Sequence, residues 1–204
     1  MKKFKFNALK DVFKRVHTQQ KPATPGALVE AATRGDLETV KSLLANGANL
    51  NEKDKSNNTA LMGAAQHGHT EVARFLIEQG ALLNEKDKNG STALIWAAHW
   101  GHKEIVDLLI AKDIVLNEKD RWEYTALMWA AHNGHAEIVR ALIDKGASLQ
   151  EQEKRGYTAQ NLAELVRHPE IAQIIKEAVA KQQQPSPPPA ESQPSQPIAP
   201  PPAP

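Results

Sequence analysis

A 33-residue period runs through the middle of this 204-residue chain and restricts its possible folds more than any other feature. From Asp54 the sequence reads DKSNNTALMGAAQHGHTEVARFLIEQGALLNEK. From Asp87 it reads DKNGSTALIWAAHWGHKEIVDLLIAKDIVLNEK, and from Asp120 DRWEYTALMWAAHNGHAEIVRALIDKGASLQEQ. Self-similarity at this spacing marks a solenoid built from one supersecondary unit per period. A single unit cannot bury its apolar face, so neighbours must stack to make a core.

Each position in the period has a local role. Thr59, Thr92 and Thr125 precede runs of alanine and large aliphatics, and a threonine there caps a helix by accepting from first-turn N–H groups. The short helix that follows carries Leu61, Ala64 and Ala65, then Leu94, Ala97 and Ala98; the small side chains allow helices of adjacent units to approach closely. Gly68-His69, Gly101-His102 and Gly134-His135 predict a tight turn. A second helix carries Val72, Phe75, Leu76 and Ile77 at helical spacing and stops at Gly80, as its counterpart stops at Gly146. Aspartate stands at the equivalent position 113, so Asp113 is expected to hold a strained left-handed cap.

The pattern TALxxAAxxGHxE[VI], followed by LL or LI and then GA, resembles the ankyrin repeat over about residues 21–180. Residues 21–53 are similar to a divergent first copy, with Pro25-Gly26-Ala27-Leu28, Ala31-Ala32, Gly35-Asp36, Leu43-Leu44 and Gly47-Ala48 in phase. Residues 153–180 are similar to a last copy in which Arg167 replaces the turn glycine and Gln160 a core leucine. The resemblance implies an all-α ankyrin-repeat solenoid of about five helix-turn-helix units with projecting β-turn loops. The units are 21–53, 54–86, 87–119, 120–152 and 153–180. Helix pairs are expected to begin near Thr59 and Thr70, Thr92 and Lys103, and Thr125 and Ala136, with no sheet core.

Three sets of residues suggest function. His69, His102, His135 and His168 recur at the period, with His67, His99 and His132 nearby. Helices packed ~8–10 Å apart cannot bring successive rungs to one ion that needs ligand atoms at ~2.0–2.1 Å, so structural histidines are expected and no metal. The identical tetrapeptides Asn51-Glu52-Lys53-Asp54, Asn84-Glu85-Lys86-Asp87 and Asn117-Glu118-Lys119-Asp120 point to turn chemistry with solvated charge, not to a calcium array. The third set is aromatic. All four tryptophans, Trp96, Trp100, Trp122 and Trp129, lie in the third and fourth copies.

In the family, loop tips and the end of the first helix are the variable, exposed positions. Carried onto this chain, the resemblance implies a partner-binding set of Lys88, Asn89, His99, Trp100, Arg121, Trp122, Tyr124, His132, Asn133, Arg155 and Tyr157. Trp100, Trp122 and Tyr124 are its expected exposed anchors, since hot spots are enriched in Trp, Tyr and Arg. Trp96 and Trp129 are expected to pack between units.

The ends differ in composition. Residues 1–17 carry Phe6, Leu9, Phe13 and Val16 at helical spacing, with six basic residues against Asp11, inside a basic amphipathic segment set at 1–20. Such a segment covers the flank of the first repeat, is disordered, or makes a weak contact with an anionic membrane or an acidic partner. Residues 181–204 form a proline-rich tail, expected to be disordered or polyproline II.

Together these features predict a non-catalytic scaffold or adaptor, most simply a monomer, that binds a partner protein through the concave face and loop tips. The alternative is a peripheral membrane adaptor anchored by the N-terminal helix. The chain has no GxSxG, HExxH, phosphate loop or cysteine, so no enzyme chemistry and no cofactor are expected. The net-acidic repeat region lacks a basic stripe for nucleic acid. Without a membrane-length apolar run or an apolar stretch after the basic start, a cytoplasmic location is expected.

Overall fold

The computed structural model describes residues 24–183. The expectations for the basic N-terminal segment and for most of the tail lie outside these residues; residues 181–183, expected to belong to the disordered tail, instead end the helix Pro169–Gln183. Ten α-helices form five pairs among the described residues: α1 (Ala27–Thr33) with α2 (Leu37–Ala45), α3 (Ala60–His67) with α4 (Thr70–Glu78), and α5 (Ala93–Trp100) with α6 (Lys103–Ile110). Next come α7 (Ala126–His132) with α8 (Ala136–Asp144), and α9 (Ala159–Leu165) with α10 (Pro169–Gln183). The helix starts agree with the threonine signals. The hydroxyls of Thr59, Thr92 and Thr125 each accept the backbone N–H three residues on, at 3.3 Å, and Thr158 does so at 3.4 Å.

Two layers result. The first helices of successive units pack against one another, and Ala31, Ala64, Ala97, Ala130 and Ala163 are fully buried between them. The second helices touch their own partner and sit farther from one another, so the stack curves toward the first-helix side. Leu28, Leu61, Leu94 and Leu127 stand one period apart in the core, each no more than 1% exposed. Burying such a side chain stabilises the fold by ~1.5–3 kcal/mol. Gln160, next in the series, is half-buried, and Leu162 fills the core of the last unit.

The Gly-His turns tie units together. An imidazole Nε2 donates to a carbonyl of the preceding unit in His69 (Thr33, 2.9 Å), His102 (Gln66, 3.2 Å) and His135 (His99, 3.1 Å). The ring lies on the preceding turn glycine. A Cβ on Gly35, Gly68, Gly101 or Gly134 would stand 2.5–2.9 Å from the next unit's histidine, and all four have positive φ. Glycine is therefore required twice over, by backbone conformation and by the ring above it. Arg167 adopts the same left-handed conformation with φ 65° in the last unit. Among the described residues no histidine from a further unit lies on it, and the side chain there meets the cost of the left-handed backbone alone.

The Asn-Glu-Lys-Asp segments are connectors rather than merely solvated turns. Asn51, Asn84 and Asn117 accept the backbone N–H of Leu82, Val115 and Ser148, one unit on. Lys86 pairs with Glu118 at 2.6 Å and Lys119 with Glu151 at 2.9 Å, and Lys53 makes the same pairing with Glu85. The aspartate closes its own loop: Asp87 Oδ1 accepts from Asn89 and Ser91, and Asp120 Oδ1 from Trp122 and Tyr124.

The expectation for Asp113 is overturned. Its φ is not positive; the only non-glycine residues in that region among those described are Asn57, Glu123 and Arg167. Where Ala48, Ala81 and Ala147 bond back to Leu43, Leu76 and Leu142 to finish the left-handed cap, Ile114 N–H instead reaches Lys112 at 2.9 Å. Aspartate avoids the left-handed cost by opening the cap. The strain sits at the loop tip, where Glu123 (φ 67°) occupies the position held by Gly90 and Gly156 in the flanking units.

Candidate functional site

The third and fourth units project their aromatic side chains to one place, on the side that carries the first helices and the loop tips. Trp96 and Trp100 stand one turn apart on α5 with His99 between them, and Trp129 and His132 take the corresponding places on α7. His99 is the hub. Its ring lies 4.3 Å from Trp129, 4.9 Å from Trp100 and 6.1 Å from Trp96, centroid to centroid. Trp122, on the loop before α7, meets Trp129 edge-on at 6.2 Å and 84°. Burial pushes the His99 imidazole below its usual value; the neighbouring His132 and His135 act in the same direction, and Asp120 opposes them.

The half-buried indoles are held by the loop carboxylates. Trp96 Nε1 donates to Asp87 Oδ2 at 3.2 Å, and Trp129 Nε1 to Asp120 Oδ2 at 2.8 Å. The same aspartates close the loops, so loop conformation and indole orientation are set together. Between the walls lies a cleft of about 80 Å³, lined by Ser91, Ile95, Trp96, His99, Asp120, Trp122 and Trp129.

The expected anchors divide. Trp100 is 53% exposed and Trp122 41% exposed, both available to a partner. Tyr124 is not: it is 8% exposed, its ring tilted at 35° against Trp129 at 4.6 Å. It follows the left-handed Glu123, and Arg155 of the next unit lies close enough to act on its hydroxyl. Burial raises the Tyr124 hydroxyl pKa; the neighbouring Arg155 side chain opposes this, and the charges of Glu153 and Asp120 add to the rise. Tyr157, one period on, is exposed, with the Arg155 guanidinium 5.3 Å from its ring.

The polar members are largely engaged within the protein. Arg121 lies over Trp122 at 4.1 Å, and its Nη1 donates to Asn89 Oδ1 at 2.9 Å. Lys88 is exposed at its tip, while its backbone N–H bonds Ser56. Asn133 Nδ2 donates to the His99 carbonyl at 2.9 Å, and His132 Nδ1 faces Asn133 Oδ1 at 3.1 Å. Sequence reasoning assigned Trp96 and Trp129 to packing and passed over Asp120 as a site residue. They do pack, and they also line the cleft. The available signal was the recurrence of Trp nine residues after Asp in two consecutive units.

Among the described residues, no group of His, Cys, Asp and Glu is placed to hold a metal ion, and no helix is long and apolar enough to cross a membrane. A protein-family model described as "Ankyrin repeats (3 copies)" matches residues 28–120 and residues 113–184. No curated protein matches the chain.

Proposed function

Because the chain belongs to the ankyrin repeat family, whose domains are generally non-catalytic protein–protein interaction modules, we propose that it is a scaffold or adaptor that binds a partner protein through the first-helix face and loop tips of its third to fifth units. The supporting observation is the exposure of Trp100 and Trp122 beside a cleft walled by two further indoles. Large aromatics so placed gain from burial on a partner. A surface already held by Asp87, Asp120 and the inter-unit bonds loses little conformational freedom on binding. Arg121 and Arg155, each over an exposed ring, extend the surface along the tips, with Lys88 and Asn89 on one side and Tyr157 on the other.

Affinity capture with the full chain tests the proposal. Three baits are compared: wild type, the Trp100→Ala/Trp122→Ala double variant, and Leu82→Ala, which removes an exposed apolar side chain outside the cluster. Proteins retained by wild type and Leu82→Ala should be lost by the double variant. An unchanged set on all three baits overturns the assignment of the surface.

A further inference from the structure

The cleft between the third and fourth units has a chemistry more specific than an apolar patch. Three indoles line it, and Asp120 lies among the lining residues with 5% exposure. The carboxylate accepts three hydrogen bonds, from Trp122 N–H, Tyr124 N–H and Trp129 Nε1–H, all from neutral donors. Among the described residues no Lys or Arg lies within 4 Å of it. The lining therefore combines three indole rings with a carboxylate that has no Lys or Arg ion pair among the described residues. Ring faces attract cations through their quadrupole, tryptophan most strongly.

We propose that this cleft is a socket for the ammonium head of a lysine side chain presented by the partner protein. The inference rests on the partner-binding assignment above and names the chemistry of one contact within it. Size favours lysine: about 80 Å³ is the space of two or three waters at ~30 Å³ each, enough for an ammonium and its last methylenes but not for a whole aromatic side chain. Neither nearby guanidinium, Arg121 or Arg155, lines the socket. Arg121 stacks on Trp122 and is tied to Asn89, and it is not among the lining residues. Arg121 at 4.1 Å from the Trp122 ring is an internal instance of the cation–ring contact proposed for the cleft.

The test follows the indole N–H signals of the full chain by ¹H–¹⁵N NMR during titration with N-acetyl-lysine methylamide, its mono-, di- and trimethylated forms, and the neutral isostere N-acetyl-norleucine methylamide. The Trp96 and Trp129 signals should shift and saturate with the lysine series, with affinity about tenfold above norleucine. The rank order within the series separates a bare from a methylated lysine as the natural head group. Trp122→Ala should weaken lysine binding several-fold without lowering the unfolding midpoint, and Trp122→Phe should restore part of it. Norleucine binding as tightly as lysine, or no saturable shift with any lysine form, overturns the socket. Either failure leaves the partner surface standing, because Trp100 and Trp122 can anchor a partner by apolar burial alone, and the capture experiment reads that independently.

Discussion

Replacing Gly101 by alanine probes the contact that locks one unit onto the next. The residue has φ 80°, and an added Cβ would stand 2.6 Å from His135 Cε1. Two costs follow. Holding a residue with a Cβ in the left-handed region costs ~1–2 kcal/mol. Displacing the ring breaks the His135 bond to the His99 carbonyl, worth ~1 kcal/mol net. Lower unfolded-state entropy of alanine returns ~0.4–1 kcal/mol, leaving a net loss of about 2 kcal/mol. Gly146 supplies the control: its φ is 86°, but a Cβ there meets nothing within 4 Å. Gly146→Ala should therefore carry the backbone cost alone, about 1 kcal/mol less than Gly101→Ala. Urea denaturation of both variants measures the difference, and a His135→Ala background should abolish it. Equal losses at the two glycines, or an unchanged difference without His135, would refute the ring-on-glycine account.

Two further outcomes follow from the same geometry. Glu123→Gly should raise stability by ~1 kcal/mol by relieving the left-handed strain at the loop tip, and an unchanged or lower denaturation midpoint would count against strain there. His99 gives a pH dependence. Its pKa is depressed in the fold, so below the unfolded value of ~6.5 the unfolded chain takes up a proton that the folded chain resists. Its contribution is complete above that pH and lost as pH falls through the folded value. The drop in midpoint between pH 7.5 and 5.5 should be smaller in His99→Gln than in wild type; an equal drop would show that His99 is not responsible.

The sequence made the helices legible because their signals are local. Thr92 caps α5 within three residues, and the leucine and alanine positions repeat in phase. Contacts between units were less visible. Nothing in Gly68 announces that His102, more than a period later, lies on it, although the recurrence of both suggested a shared role. Tyr124 was assigned to the surface because its position belongs to a loop tip, but side-chain direction there depends on the backbone at Glu123 and on Arg155 from the next unit. Asp113 was misjudged by assuming that every unit copies its neighbours' backbone, whereas the third unit opens its cap instead. The cleft requires Asp120 to orient Trp129 while the preceding unit supplies Trp96. That is a tertiary arrangement, and sequence spacing only hinted at it.

The central claim is that the exposed aromatic face is a binding surface and not an extension of the core. Affinity and chemical denaturation measured on Trp122→Ala, with Leu127→Ala as the core reference, test it most directly. Trp122 is 41% exposed and Leu127 is 1% exposed. Trp122→Ala should shift stability by no more than ~0.5 kcal/mol and weaken partner binding by about 2 kcal/mol. Leu127→Ala should cost ~2–5 kcal/mol of stability through the cavity it leaves, with binding per folded molecule retained. A Trp122→Ala protein that unfolds as readily as Leu127→Ala while each folded molecule still binds normally would contradict the claim and return the aromatic cluster to the core.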